Sequence, residues 1–599
     1  VDERHERTHW KKLPKLRLDR KVAARRLHRA ETVSSRHARK FLISRLQNAR
    51  LVRREILIWA TLIGLMIAGM GIQFAMSQRG YMQQVPARGG TYAEASLGPI
   101  DSLNPLYASS SAETTVARLL FSSLYNYDQT GKLHGDIATS LTQSQEGRLY
   151  TVTIRKDAKW HDGQPLTAED VVYTVNVIKN PAARSQLRVN WLDVSVRAIN
   201  AQTVEFTLPT QYAAFPYALT FPILPSHLLA SVNAGALRES TFSQAPIGSG
   251  PFKYSLIQAA DAITNHEVVH LTANTEYYGG APLLDRFEVH AYANENDISS
   301  ALKKVEVNGA ADLSVVTNDE KGGYYQVTTE PIASGVYLLL NTNNPILSDV
   351  KVRKALQVGT DTAAIRKAVG GDVKPLSLPF IDGQLTGTDV PVAPLVNKAQ
   401  AAIMLDEAGW KLDGTQRVKD GKPLQISVTT TKDSQYQRAM DEVTEQWKGL
   451  GVVVDKRTVD ASNVSAAFVQ NVLQQRNFDA LLYELSIGAD PDVYAYWHSS
   501  QATREGYNFT GYSNRNADAA LASARTRPEV DLRNAKYKAF ARQWLEDAPA
   551  IGVYQPVLEY VVNKTNRAAA GGANLISAAD RMDNVIYWSV NTETVYKTP

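Results

Sequence analysis

A mixed α/β fold preceded by one membrane-spanning helix is what this 599-residue sequence predicts. Three observations predict it. A single charge-free apolar run stands near the start, short period-two runs interleave with period-3.6 runs over the remainder, and one stretch spells out a complete β-α-β unit.

The apolar run is Ile56–Met76, 21 residues without a charge. At helical rise it is long enough to cross roughly 30 Å of hydrocarbon. Lys and Arg crowd the side before it: residues 1–54 hold 18 Lys/Arg against five Asp/Glu, a balance of +13 that leaves −8 for the remainder. The positive-inside rule therefore places the N-terminus in the cytoplasm and the main part of the chain outside, at the cell membrane. A cleavable signal peptide is the rival reading, with Ala75-Met76-Ser77 offering small residues near a cleavage point. The long charged region and long apolar run favour an uncleaved anchor. The arm at 1–55 reads as a solvated topology signal, or as an amphipathic helix lying on the inner leaflet. No nucleic-acid-binding fold surrounds its basic residues, so no nucleic acid is expected as a partner.

After a polar linker at 77–88, strands are predicted at Leu149–Arg155, Val204–Leu208 and Gly335–Asn341, with turn residues such as Asp162-Gly163 between elements. The β-α-β unit runs from the strand Leu424–Thr430 through a helix capped by Ser434. That helix carries Tyr436, Met440, Val443, Trp447 and Leu450 on one face and stops at Gly451, and Val452–Lys456 begins the second strand. A further helix is predicted at Pro528–Glu546, a strand at Ala550–Tyr554 and a loop at Ala568–Asn574.

The search for chemistry excludes more than it finds. Cysteine is absent, which removes disulfides, thiol nucleophiles, thiolate metal sites and lipid attachment through cysteine. No G-x-S-x-G is present, and Gly248-Ser249-Gly250 reads as a turn. His266 and His270 fall on one face of a strand about 13 Å apart by pleat arithmetic, too far to share a metal. Gly421-Lys422 runs into Pro423 without a phosphate-cradling loop. No enzyme, cofactor or metal is expected.

Several stretches carry a resemblance. Leu103-Asn104-Pro105-Leu106 precedes a helix at Glu113–Tyr125; KWHDGQPLTAEDVVYTV occupies Lys159–Val175; NTNNPILSDVKVRKALQVGTD occupies Asn341–Asp361; and Ala480–Tyr554 contains GADPDVYAYWHSSQ and GYNFTGYSNRNAD. Together they resemble the extracellular solute-binding family of peptide-type ABC transporters, over nearly all of residues 89–560. Within them Thr167 and Asp170 read as a helix cap, Ser348-Asp349 as another, and Trp160 and Asp162 as structural residues.

The resemblance implies a two-lobed fold of the periplasmic-binding-protein type II kind with an extra domain, within residues 89–599. Lobe I is expected at about 89–130, 245–330 and 556–599, the extra subdomain at 131–244 and lobe II at 331–555. It implies an ABC importer's substrate-binding subunit, a monomer that closes on a peptide or other small solute and delivers it to a permease with ATPase subunits. Two other functions stay open: a ligand sensor signalling through the arm, and a surface peptidase.

Ligand contact is expected first at Ser109, Ser110 and Ser111, before a helix N-terminus where free N–H groups favour an anion such as a peptide carboxylate. It is expected next along the strand Asp479–Ser486, whose edge pairs with ligand backbone in peptide-binding relatives. Tyr483, Leu485, Ser486, Ile487 and Gly488 are the candidates there, joined by Asp490 and Trp497. One departure stands out: relatives that grip a peptide's free amine place an aspartate four residues before Pro491, where this chain has Ile487. Asp490 and Asp492 are the nearest substitutes, and Tyr494 and Tyr496 are further candidates for the pocket wall.

Overall fold

In the computed structural model, which describes residues 53–128, 131–144, 147–259, 266–314, 316–370, 372–459, 468–568 and 575–596, the apolar run becomes one helix, Arg53–Tyr81. Its Arg53–Phe74 part is long and apolar enough to cross a membrane, and none of it is buried in protein. The expected linker is partly regular: the helix continues through Ser77 to Tyr81, and Met82–Ala87 is a strand. The basic arm before Arg53 and most of the Ala568–Asn574 loop lie outside the described residues. This helix belongs to one unit, and residues 86–593 form another.

The second unit is built on two large sheets. One has seven strands, ordered Tyr325–Pro331, Val557–Asn563, Gly309–Ala310, Thr91–Leu97, Arg286–Tyr292, Glu267–Ala273 and Phe252–Gln258. The other has six, ordered Lys374–Pro375, Ala550–Gln555, Ser334–Leu340, Ala480–Ser486, Gln425–Thr431 and Val453–Val459. A four-stranded antiparallel sheet between Ala138 and Thr207 makes the extra subdomain.

Side-chain alternation explains which sheets pack together. Val152, Ile154, Val204 and Phe206 of the small sheet share one continuous core with Tyr92, Phe287, Val289 and Tyr560 of the seven-stranded sheet. The six-stranded sheet packs both its faces separately: Tyr337, Leu339, Leu481 and Leu485 point to one side, Val336, Leu338, Leu340 and Leu482 to the other. A strand covered on both faces reads as an unbroken apolar run, which is why GVYLLL was legible as a strand. The result is two lobes with separate cores.

The backbone crosses between the two large sheets at Ile332–Ala333 and again at Pro556. The crossings are tied to each other: Ile332 N–H donates to the Pro556 carbonyl (3.0 Å), and the Gln555 amide donates to the Ile332 carbonyl (2.9 Å). Two extended segments held side by side between separately packed cores have the geometry of a hinge.

The β-α-β unit is Gln425–Thr431, Ser434–Gly449 and Val453–Val459, and its strands pair in parallel. Asp433, rather than Ser434, caps the helix, its carboxylate accepting from the Gln435 and Tyr436 amides. The helix starts one residue earlier than predicted, so Ser434 already lies in the first turn and Asp433, with extended backbone, takes the cap position. The late helix is Val530–Asp547. The Thr167–Asp170 cap forms, with the Thr167 amide donating to Asp170 (2.8 Å), and Trp160 Nε1 donates to the same carboxylate (3.3 Å).

Gly248-Ser249-Gly250 docks the subdomain onto lobe I. The Ser249 and Gly250 amides both donate to the Leu120 carbonyl at the end of the Ser111–Leu120 helix (2.9 and 2.8 Å). A Cβ on Gly248 would stand 1.9 Å from that same oxygen, so only glycine fits. His161 completes the joint: its Nδ1 accepts from the Gly248 amide and its Nε2 donates to the Gly250 carbonyl, both at 3.1 Å. The bond accepted by Nδ1 requires the neutral ring, and burial pushes the imidazole down from 6.5 to about 4. A depressed histidine value means stability that is whole above the unfolded value of 6.5 and lost as pH falls toward about 4. We expect about 3 kcal/mol to be lost across that window. His161→Gln should flatten it, checked by melting temperature against pH.

Candidate functional site

The Ala480–Ser486 strand is paired unequally on its two sides. Antiparallel pairing with Ser334–Leu340 covers all seven residues. Parallel pairing with Gln425–Thr431 covers only Ala480 and Leu481, after which the Thr430 hydroxyl takes the Leu482 carbonyl (3.1 Å). Among the described residues, no strand covers that side from Leu482 to Ser486. The strand then turns at the hinge, where the Ile487 and Gly488 amides both donate to the Ala333 carbonyl (3.0 and 2.8 Å).

The apolar side chains of this segment are committed to the lobe II core. Leu485, Ile487 and Trp497 are buried, and Tyr483 packs between Phe468 and Phe509 at ring distances of 5.8 and 6.0 Å. The Glu484 carboxylate is held by the Ser334 and Tyr436 hydroxyls (2.5 and 2.9 Å), so what the segment chiefly offers a solute is main chain. Ser486 is exposed, and its carbonyl accepts from the Tyr496 hydroxyl (2.6 Å). The Gly488 carbonyl accepts from the Gln384 amide (2.8 Å).

Asp490 is paired inside the protein, with Arg533 Nη2 at 2.6 Å. Burial raises its carboxyl above the ordinary range, and Arg533 opposes that rise. Asp492 pairs with Arg525 Nε at 3.1 Å. Trp497 is 1% exposed and stands edge-on to Trp544 (5.4 Å, 83°) and Tyr337 (6.0 Å, 74°), which makes it core.

Ser109, Ser110 and Ser111 sit at the start of the Ser111–Leu120 helix, but the N–H groups expected to be free there are largely taken. Ser110 caps the helix, accepting from the Glu113 amide (3.0 Å). The buried Glu113 carboxylate folds back to accept from the amides of Ser109, Ser110, Asp101 and Ser102 at 2.7–3.1 Å. Ser111 donates to Asp312 (2.8 Å). Glu113 thus supplies, from within the first turn, the anion that the helix start favours.

The same helix lines a cavity of about 320 Å³ with its next turns, through Thr114, Ala117 and Arg118, closed by Tyr127, Thr220 and Ser577. Arg118 bonds Asn126 and reaches Asp583 at 3.5 Å. Buried Asp580, also in the wall, is raised by desolvation. The sequence reading missed this arginine, because a cavity-lining Arg on an amphipathic helix has the same spacing as a surface one.

Residues 132–507 match the profile of the bacterial extracellular solute-binding proteins, family 5 Middle. The chain belongs to that family.

Relatives of this solute-binding protein extend the likeness to nearly full length. The oligopeptide-binding protein AppA of Bacillus subtilis (strain 168) is 29% identical over 79% of this chain and 87% of its own. The structure of AppA from Bacillus subtilis in complex with a nonapeptide superposes with a TM-score of 0.70 at 26% identity, covering 84% of this chain and all of AppA. NikZ from Campylobacter jejuni, crystallised with Ni(L-His), gives a TM-score of 0.70 at 27% identity, covering 83% of this chain and 99% of NikZ.

Among the described residues of the solute-binding protein, no three His, Asp or Glu side chains are arranged to hold a metal ion. His270 lies in the Glu267–Ala273 strand and His266 just before it, and each bonds across to the neighbouring strand: His266 Nε2 to His290 Nδ1, and His270 Nδ1 to Glu288, both at 3.1 Å. A second pocket, about 470 Å³, lies at the hinge against Pro331 and Gln555, with Leu376, Leu378 and Phe380 in its wall and Lys374 among its lining residues.

Proposed function

We propose that this family-5 protein is the membrane-anchored substrate-binding subunit of an ABC importer. It captures a peptide or similar small solute between its lobes, without chemical turnover, and delivers it to a permease with ATPase subunits. The apolar helix is its anchor, with the basic arm in the cytoplasm and the two-lobed domain outside. A permanent tether keeps the binder concentrated near its permease.

The observation that carries this reading is the main-chain edge Leu482–Ser486, which no strand among the described residues covers and which ends at the hinge between separately packed lobes. An extended backbone laid along that edge gains hydrogen bonds from one lobe while it touches the other, so its binding favours closure. Main-chain recognition runs along the strand edge that ends at Ser486, while the side chains of Tyr483, Leu485 and Ile487 hold the strand in place through the core and Gly488, with both its main-chain groups bonded within the protein, fixes the turn that follows. AppA with its nonapeptide supports a peptide, and NikZ with Ni(L-His) supports a small chelate as the second class.

Native mass spectrometry of the detergent-purified full chain, followed by small-angle scattering with a defined nonapeptide and with Ni(L-His), tests the reading. We expect one of the two to bind one-to-one and to reduce the radius of gyration. Cleavage of the peptide, or no compaction with either probe, would reject it.

A further inference from the structure

The lobes meet away from the hinge as well. Tyr212 follows the small sheet and packs against the lobe I core, and its carbonyl is held by the Tyr150 hydroxyl (2.9 Å). Facing it from lobe II is Arg525, the last residue of the Arg515–Arg525 helix. The Arg525 guanidinium lies 4.6 Å from the Tyr212 ring centre and 4.5 Å from the ring centre of Tyr494, which packs against the lobe II core. Its Nε reaches Asp492 at 3.1 Å, and its own carbonyl accepts from the Ala213 amide at 3.0 Å.

We propose that Tyr212, Arg525, Tyr494 and Asp492 form a clasp that holds the two lobes together without a solute, and so sets how often the empty binder is closed. The inference rests on the capture reading above, in which the lobes swing on the hinge. Its physical basis is the make-up of the contact. A cation held between two aromatic faces and fixed by a carboxylate from its own lobe is attracted by the ring of the other lobe, even with the Arg525 side chain 36% exposed. The main-chain bond from Ala213 adds a fixed direction. Every partner is a protein group, so the contact needs no guest to form, yet it is confined to one small patch and can open.

The clasp gives Asp492 a purpose different from gripping a ligand amine: it keeps the Arg525 fork flat between the rings. It also separates affinity from selectivity. Because none of the four side chains needs to touch the solute, loosening the clasp rescales all affinities by the same lost fraction of closed protein. Another polar contact between the lobes away from the hinge, from the Gln435 amide to the Ser314 carbonyl (3.0 Å), is a single hydrogen bond and a weaker restraint.

The absence of cysteine makes the test direct. Spin labels at S195C on the small sheet and K448C on lobe II, both exposed positions, report the distance between lobes in the full chain, purified in detergent and dialysed free of solute. We expect a short-distance population in the parent protein that falls about 10-fold in Arg525→Ala and equally in Tyr212→Ala, with no further fall in the double variant. Using one substitution in each lobe guards against local misfolding of either. The proposal is overturned by a parent protein found only at the long distance, by either single variant keeping the parent distribution, or by a double variant whose loss is the product of the two. A parent protein that closes with nonapeptide but never without it would end the clasp and leave the capture reading standing.

Discussion

Replacing Arg581 with alanine is expected to cost about 3–5 kcal/mol of stability, because it strands a charge in the lobe I core. Arg581 and Glu94 are joined with side chains 1% and 0% exposed, in a pair spanning nearly the whole domain sequence. Arg581 Nε donates to Glu94 at 2.9 Å, and the Tyr560 hydroxyl donates to the other Glu94 oxygen at 2.8 Å while it contacts the Tyr92 hydroxyl at 2.5 Å. Removing the arginine leaves the carboxylate with one neutral donor where it had a cation, and a buried charge cannot recover its hydration. The double variant Glu94→Gln with Arg581→Met should regain at least half of the loss, since replacing both partners removes the unpaired charge. Urea unfolding at pH 7 followed by near-ultraviolet circular dichroism checks both. An Arg581→Ala protein as stable as the parent would mean the pair contributes nothing net.

Trp497→Ala should have the next largest effect, about 3–5 kcal/mol of lost stability confined to lobe II. The ring is enclosed by Trp544 and Tyr337, and the void left behind cannot collapse because both neighbours belong to regular elements of one packed face. Affinity per folded molecule should stay within about threefold of the parent value, since a side chain this deeply buried lies below any surface a solute can reach. Thermal melting together with calorimetric titration of the folded fraction separates the two effects. A large affinity loss without a stability loss would return Trp497 to the ligand site.

Local elements were legible in the sequence wherever one-dimensional pattern and burial coincide. The Leu149–Ile154 strand shows strict alternation because one face meets the core and the other faces outward, and the Ser434–Gly449 helix shows its apolar stripe for the same reason. The cap at Thr167 and Asp170 is a contact between near neighbours, so it too could be read. Site residues were harder to read. Ser109, Ser110 and Ser111 look available in the sequence, yet Glu113 folds back on the first two and Asp312 holds the third, and Asp490 looks like a substitute for an amine-binding acid until Arg533 is seen beside it.

By itself, the sequence determined the apolar helix, the α/β alternation, the family and the lack of cysteine chemistry, because each follows from composition or from residues within a few turns of one another. Tertiary structure alone decided which strand edge is uncovered, which carboxylates are already paired and where the lobes touch. Those properties depend on partners such as Glu94 with Arg581 or Tyr212 with Arg525, which lie far apart along the chain. Interactions closed over such long loops leave no local periodicity, and whether a charge is free or matched is settled only when folding brings its counterpart within a few ångströms.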